Sequence, residues 1–359
     1  MFSKNQKEEK ISFSWGYPDL DGFPLKKLKQ IVNEIDSKDI SRVLQYHPGQ
    51  GIPTLRNEIV KQKMGDFGNT KADEIIITPG ATFGIFLLAY YFKNVLNYQK
   101  IGVFFPCYDT ALQIFKIVGL EIIDLNKNKS TFKDLKCFYI MPRYSNPSGV
   151  NISNDNVKIV ENYITKNNAL VIEDDVYHIF NYTNENFKTF KQKFPKNVFY
   201  LDSFSKILAP GFRLGYIAAD DDSIKKLIYL QMFICSSAST LNQEIVYQLI
   251  RDDHYSKIVK EICNHYHQKM RLTIEALKEE SLGNKFISPT GGYYIWLNTD
   301  YYFSDSKKNV LAKHGVNLID GRIYYNQINC PKAVRLSIAN IAKDEIKDSI
   351  KTIKKYLYE

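Results

Sequence analysis

With 359 residues, 44% of them hydrophobic, the chain is too long for a small binding module and apolar enough to fill a sizeable core, which excludes a disordered protein. The formal net charge of +9 comes from lysines spread along the whole chain, with no basic arm and no base-stacking aromatic motif, so nucleic-acid binding is not expected and the field would favour anionic small ligands. Cys107, Cys137, Cys235, Cys263 and Cys330 are far apart and form no Cys-x-x-Cys pair, which argues against a disulfide framework and structural zinc and for free thiols in a reducing cytoplasm.

Met1 to Lys10 is polar and charged, unlike a secretion signal. Short apolar runs then alternate with helical patterns. Glu74–Thr78 reads as a strand and leads into a helix from Ala81. The run Ala81–Leu96 contains Lys93 and Asn94 and is shorter than the ~20 residues a bilayer requires, so it reads as a buried helix, and no membrane partner is expected. Ile101–Phe105 is a strand, Tyr108–Val118 a helix, and Glu121–Leu125 and Cys137–Met141 are strands. Asn154–Asn167 is a helix with Ser153 as its N-cap. Ala169–Glu173, Val198–Asp202 and Leu214–Ala218 are strands, followed by one long helix from about Asp221 to Ile250. Strands without polar alternation, interleaved with helices, predict an α/β protein with a mostly parallel central sheet covered by helices. Ligands of such sheets bind beyond the carboxyl ends of the strands. From 253 to 359 the pattern changes to helices flanking short strands around Gly291–Leu297 and Val334–Ile338, a smaller α+β domain. Residues 1–45 are expected to pack beside it, leaving 46–252 as the large domain.

The segment Leu201-Asp-Ser-Phe-Ser-Lys-Ile-Leu-Ala-Pro-Gly-Phe-Arg-Leu-Gly215 carries the strongest chemical signal. Lys206 follows a buried strand, so it lies at the carboxyl end of the sheet. Ser203 and Ser205 precede it and Arg213 follows; hydroxyls and a guanidinium make a phosphate clamp. A partly desolvated lysine beside that clamp can lose its proton and form an imine; without such flanks it would be an ordinary surface lysine. The strand Ala169–Glu173 runs into three acids, Glu173, Asp174 and Asp175, which are costly to bury without cationic partners. A pyridinium nitrogen, as in pyridoxal 5′-phosphate (PLP), is such a partner, and Asp174 is the acid chosen for it, with Tyr177 in reach of the ring oxygen. A helix cap or a metal cluster would also use acids, but no histidine pair stands at ligand spacing; His178 is alone, and no metal is expected. Thr78-Pro-Gly-Ala-Thr-Phe-Gly84 leads through a glycine turn into a helix whose first amides, at Ala81 and Thr82, would face an anion. In Met141-Pro-Arg-Tyr-Ser-Asn-Pro-Ser-Gly149, Asn146 is either a turn residue or a contact to the ring oxygen or a substrate carboxylate.

Taken in order, these segments resemble the fold-type I PLP enzymes of aminotransferase class I/II, in the 2-aminoadipate/kynurenine aminotransferase-like branch, with matches from about Phe13 to Ile338. The resemblance implies that Lys206 holds the cofactor as a Schiff base and acts as acid and base, that Asp174 faces the pyridinium, and that Tyr177 and Asn146 contact the ring oxygen. It implies that Tyr108, in Phe-Pro-Cys-Tyr, stacks on the ring, and that Ala81, Thr82, Ser203, Ser205 and Arg213 form the phosphate cup. Tyr46 matches a tyrosine that reaches the phosphate of a neighbouring subunit, which implies a homodimer with shared active sites. Arg335, in Val-Arg-Leu-Ser, matches the arginine that grips the substrate α-carboxylate, and Gly16 a backbone contact near it. Arg143 and Tyr144 stand where the family has small or polar residues, and Tyr293, Tyr294 and Trp296 are bulky, which bears on the side-chain pocket. The implied activity is transfer of an amino group between an L-amino acid and a 2-oxo acid. Another PLP reaction on the same site, a decarboxylation, elimination or cyclisation, stays open at this point. A regulator's effector domain is the remaining alternative, with only about 15 residues before the first match for a DNA-binding module. Tyr324 and Tyr325 hint at an aromatic or long-chain substrate, or are ordinary core and interface tyrosines.

Overall fold

A computed structural model describes residues 11–358 except 15, 20–22, 35–40, 42, 128–134, 184, 252–253 and 327–329. Its strands are β1 (Ile11–Ser12), β2 (Ile75–Thr78), β3 (Lys100–Val103), β4 (Glu121–Asp124), β5 (Cys137–Ile140), β6 (Leu170–Asp174), β7 (Val198–Ser203), β8 (Gly215–Ala218), β9 (Tyr294–Asn298), β10 (Val316–Asn317), β11 (Ile319–Asp320) and β12 (Ala333–Ser337). Seven of them form the main sheet in the order β2-β8-β7-β6-β5-β3-β4. All its pairings are parallel except those of β8, which runs antiparallel to β2 and β7. Every residue of β2, β5, β7 and β8 is buried, which explains the unbroken apolar runs in sequence: helices cover both faces.

The register brings four chain segments to one edge. Asp174 at the end of β6 pairs with Leu201 of β7, and Ile140 at the end of β5 pairs with Glu173. Because β8 is reversed, its first residue, Gly215, lies beside Thr78 at the end of β2 and Ser203 at the end of β7. The loops after β2, β5, β6 and β7 therefore open into the same space, where the strand-end rule places ligands.

A second, antiparallel sheet, β11-β12-β9, sets Arg335 between Trp296 and Ile319. The N-terminal residues sit beside this sheet: β1 pairs with β10 in a separate two-stranded sheet, and the Ser337 amide at the end of β12 donates to the Phe13 carbonyl at 2.7 Å. Among the described residues, no helix is long and apolar enough to cross a membrane.

Two helices differ from expectation. The long helix expected over Asp221–Ile250 is two, Asp221–Cys235 and Thr240–Ile250. The break falls at Ser236-Ser-Ala-Ser239, where Ser236 takes φ 64° and the Ser239 side chain accepts the Asn242 amide to start the next helix. Serines compete with the helical backbone for its own hydrogen bonds, and three of them within four residues outweigh the apolar periodicity on either side. The helix from Ala81 ends at Tyr90 and continues as a wider turn over Tyr91–Val95, closed by the Leu96 amide on the Tyr91 carbonyl. Ser153 caps Asn154–Asn167 as the sequence indicates, accepting the Asn156 amide.

Candidate active site

A cleft of about 380 Å³ opens at the strand ends. Twelve of the thirteen residues singled out from the sequence line it; Tyr46 does not, and is 94% exposed. Lys206 sits one turn beyond β7, and its Nζ donates to the Gly16 carbonyl at 2.6 Å. The ammonium also lies 5.7 Å and 5.8 Å from the ring centres of Tyr177 and Tyr293. Burial, then the nearby cations Arg335 and Arg213, lower its pKa to about 8.

The three acids after β6 have three different fates. Glu173 accepts the backbone amides of Phe190 and Lys191 at 2.9 and 2.8 Å. Asp175 is gripped by Arg143, whose Nε lies 2.9 and 3.0 Å from its two oxygens. Asp174 faces the cleft. Its Oδ2 accepts the Tyr139 hydroxyl at 2.6 Å, whereas its buried Oδ1 has no partner. Burial pushes its carboxyl up to about 7, against the pull of the Tyr139 hydroxyl. A buried carboxylate oxygen aimed into a cleft without a donor fits a ligand that brings an N–H, which is what a protonated pyridine ring offers.

At the other end of the cleft the chain builds an anion cradle. Gly80, at φ +82°, precedes the helix Ala81–Tyr90; a Cβ there would stand 2.9 Å from an Arg213 nitrogen. Gly215 is equally confined, because a Cβ on it would lie 2.8 Å from the Ala81 amide nitrogen. These glycines let a guanidinium, a helix N-terminus and a strand start share one small space. Arg213 itself adopts φ 49°, a strained setting for a non-glycine residue. The Ser203 hydroxyl lies 3.0 Å from that of Ser205 and 3.1 Å from the Leu214 carbonyl. Thr82 completes this wall. Together with the Asp174 oxygen, the cradle fits a ring nitrogen and a phosphate, the two ends of PLP.

Arg335 is 5% exposed and fixed in place. Its Nη1 donates to Asn146 Oδ1 at 3.0 Å and its Nη2 to the Ser14 carbonyl, while Nε has no partner. The Tyr294 ring lies 4.5 Å from the guanidinium. The Tyr294 hydroxyl meets that of Tyr177 at 2.8 Å and fills the space over Gly16, where a Cβ would be 2.1 Å away. Tyr108 caps the helix Asp109–Val118 and contributes a half-buried phenol, its pKa pushed up to about 12 by burial. Tyr324 lines the cleft, whereas Tyr325 stacks on Phe105 at 5.6 Å outside it.

Tyr139, Ser14 and Asp109 also belong to this site and are not legible from the sequence. Tyr139 is read there only as one residue of a strand, and nothing local says that its hydroxyl reaches an acid 35 residues away. Asp109, next to Tyr108 at the cleft wall, has the look of an ordinary helix-start acid. His178 is not isolated: it belongs to a buried group with Lys63 and Asp202 behind the strand ends.

The sequence pattern of aminotransferase class I and II matches residues 8–353. Aromatic-amino-acid aminotransferase 1 of Thermococcus litoralis is 26% identical, over 97% of this chain and 88% of that protein. NorG, an HTH-type transcriptional regulator of Staphylococcus aureus, is 27% identical over 97% of this chain and 80% of that protein. The crystal structure of Pyrococcus horikoshii kynurenine aminotransferase, in complex with PMP, KYN and KYA, aligns with a TM-score of 0.89 at 27% identity, covering 98% of this chain and 91% of that one. A match across nearly the whole chain and a cleft suited to both ends of the cofactor lead to one conclusion: the chain belongs to the aminotransferase class I and II family and is a PLP-dependent aminotransferase of fold type I.

Proposed function

We propose that this chain moves an amino group between an L-amino acid and a 2-oxo acid, with Lys206 as both the covalent anchor of the cofactor and the group that carries the proton. When bound, PLP supplies an aldehyde for the Lys206 amine and a ring that draws off the electron pair of the bond broken at the substrate Cα. Asp174 Oδ1 keeps the ring nitrogen protonated. Tyr177 and Asn146 would hold the ring oxygen, and Tyr108 would offer its ring as a packing surface for the cofactor. The amides of Ala81 and Thr82, the hydroxyls of Ser203 and Ser205, and Arg213 hold the phosphate. Arg335, steadied by Asn146 and Ser14 and bordered by Gly16, would take the α-carboxylate and so fix the orientation of the substrate's Cα. Lys206 Nζ, with a pKa of about 8, is neutral in part near pH 7 and accepts the proton from Cα.

One observation carries this reading. The lysine amine, the unpartnered Asp174 oxygen and the unpartnered Arg335 Nε belong to one cleft. Lys206→Ala should lose the visible absorbance of the bound cofactor, resist fixation by borohydride and exchange amino groups at least about 10⁴-fold more slowly. Retained colour and turnover would reject Lys206. Release of CO2 or ammonia instead of 2-oxo acid exchange would reassign the reaction to a decarboxylase or lyase.

We infer further a cytoplasmic homodimer with shared active sites. Tyr46 is almost fully exposed, and Leu44 and, on the helix Asp221–Cys235, Tyr229, Met232 and Phe233 are also exposed. Gly49, three residues after Tyr46, packs against Met232, and Tyr229 packs on Phe233 at 4.8 Å, which supports an apolar contact surface near Tyr46. Free cysteines support the reducing compartment. The main sheet falls within 46–252 and the β9–β12 strands within 253–359, which supports those boundaries for the large and small domains; of the N-terminal segment, Ile11–Ser12 pair with the small domain, whereas the helix Leu25–Glu34 packs on the helix Thr240–Ile250 of the large one.

A further inference from the structure

We propose that Asp109 fixes the substrate class: the enzyme takes amino acids whose side chain has an apolar stem and a cationic end, and turns away dicarboxylic ones. The inference rests on the aminotransferase reading, with Arg335 as the α-carboxylate clamp.

Asp109 opens the helix Asp109–Val118 directly after Tyr108 and lines the same cleft as Lys206 and Arg335. Its carboxylate is tethered from behind by its own amide and that of Thr110. Arg335 is the cation that acts on it, yet no ion pair joins Asp109 to any of the described residues, and Arg335 is the group assigned to the substrate α-carboxylate. The acid therefore lines the cleft half-buried, near Arg335 but without an ion pair of its own.

The walls around it are aromatic and aliphatic. Tyr108, Tyr294 and Tyr324 all feel the Asp109 charge, and Ile319 and Ile323 also line the cleft. A substrate held at Arg335 by its α-carboxylate would lay its side chain along these rings, beside Asp109, with Asp174 assigned to the cofactor. Methylene groups pack well on tyrosine faces, an ammonium or guanidinium gains from both the rings and the acid, and a second carboxylate meets a like charge at low effective dielectric. Burial pushes the Asp109 carboxyl up, which a ligand cation would reverse. The amino acceptor follows the same rule, so a monocarboxylic 2-oxo acid should serve better than a dicarboxylic one.

The test uses the PLP-loaded enzyme and three analogues that bind without reacting, because their Cα carries a methyl group in place of hydrogen: α-methyl-lysine, α-methyl-leucine and α-methyl-glutamate. Calorimetry should give a Kd for the lysine analogue at least about tenfold below that for the glutamate analogue, the scale of one well-placed interaction. In Asp109→Asn the lysine analogue should weaken about tenfold, the glutamate analogue should tighten, and the leucine analogue should stay within about twofold. Asp109→Ser, which keeps an acceptor at the helix start, should do the same if the asparagine variant folds poorly. An unchanged order of affinities, or a parallel loss for all three, overturns the role of Asp109 and leaves the aminotransferase reading intact. If none of the three binds the wild-type protein or perturbs its cofactor absorbance, the reading of the site fails and this inference with it.

Discussion

Asp174 and Asp175 are chain neighbours at the end of β6, and both are buried, at 1% and 0% exposure. Alternation along a strand sends their side chains to opposite faces. On one face, Asp175 is clasped by Arg143 and accepts the Tyr200 hydroxyl at 2.8 Å, while Arg143 reaches on to Asp66 at 3.2 Å. Lys63 lies beside them, 3.1 Å from Asp202 and in contact with His178, and Tyr216 donates to Asp202 at 2.6 Å. On the other face, Asp174 keeps an oxygen without a donor, Arg335 a nitrogen without an acceptor, and Lys206 a depressed pKa. The alternation repeats at the end of β7, where Asp202 joins the paired group and Ser203 the cleft. Neighbouring buried charges thus serve two purposes. The compensated set ties the strand-end loops together, and the uncompensated set is complementary to something the chain does not itself contain.

The sharpest way to break this contrast is to neutralise each acid in turn. Asp175→Asn leaves the Arg143 guanidinium buried with only Asp66 to offset it. Stripping one partner from a buried pair costs about 3–5 kcal/mol, so a denaturant titration should show the largest loss of stability at this position. A loss below about 1 kcal/mol would mean that the paired set is a solvated surface feature after all.

Asp174→Asn should go the other way in protein stripped of cofactor. The Asp174 pKa is raised from 3.8 to about 7 on folding, so the folded state binds its proton more tightly than the unfolded chain does. Stability must therefore fall as pH rises from about 4 to about 7, and stay reduced above that. Asparagine removes the titration: the pH slope in that window should flatten, and stability at pH 8 should rise by an amount on the order of 2 kcal/mol. The same variant should hold PLP more weakly. A variant less stable than wild type at pH 8 would show that the Asp174 charge is compensated in a way the hydrogen bonds do not reveal.

The two faces also differ in how far the sequence discloses them. The cleft is spelled out locally. Ser203, Ser205, Lys206 and Arg213 lie within one loop of β7, and Gly80, Ala81 and Thr82 are consecutive after β2, so a strand-end rule and short-range chemistry suffice to group them. The paired face is assembled from distant segments. Lys63 and His178 are 115 residues apart and Arg143 and Asp175 are 32 apart, and their partnership depends on sheet order, which periodicity does not fix. Arg143 stands out in sequence only as an unexpected cation after β5. The break at Ser236 was hidden for a related reason: apolar periodicity registers the faces of a helix and is blind to serines that cap and interrupt it.

The smallest effect expected is also the one that reads the cleft's own electrostatics. In cofactor-stripped protein, only the neutral Lys206 amine can attack the PLP aldehyde, so the rate of cofactor capture should rise with pH and reach half its maximum near pH 8, where the amine loses its proton. Arg335 and Arg213 both depress this pKa, and Asp174 raises it. Arg335→Met should therefore move the midpoint upward, toward the ordinary lysine range, and Asp174→Asn should move it downward. Asp175 lies on the far face with its charge already matched by Arg143, so Asp175→Asn should leave the midpoint where it was, provided the variant is assayed where it is folded. Stopped-flow absorbance across pH 6–10 on the three variants would show whether the division between the faces holds. A midpoint that follows Asp175 as strongly as Asp174 would mean that the two sets of charges form one continuous network, and that the open valences of the cleft are balanced from behind.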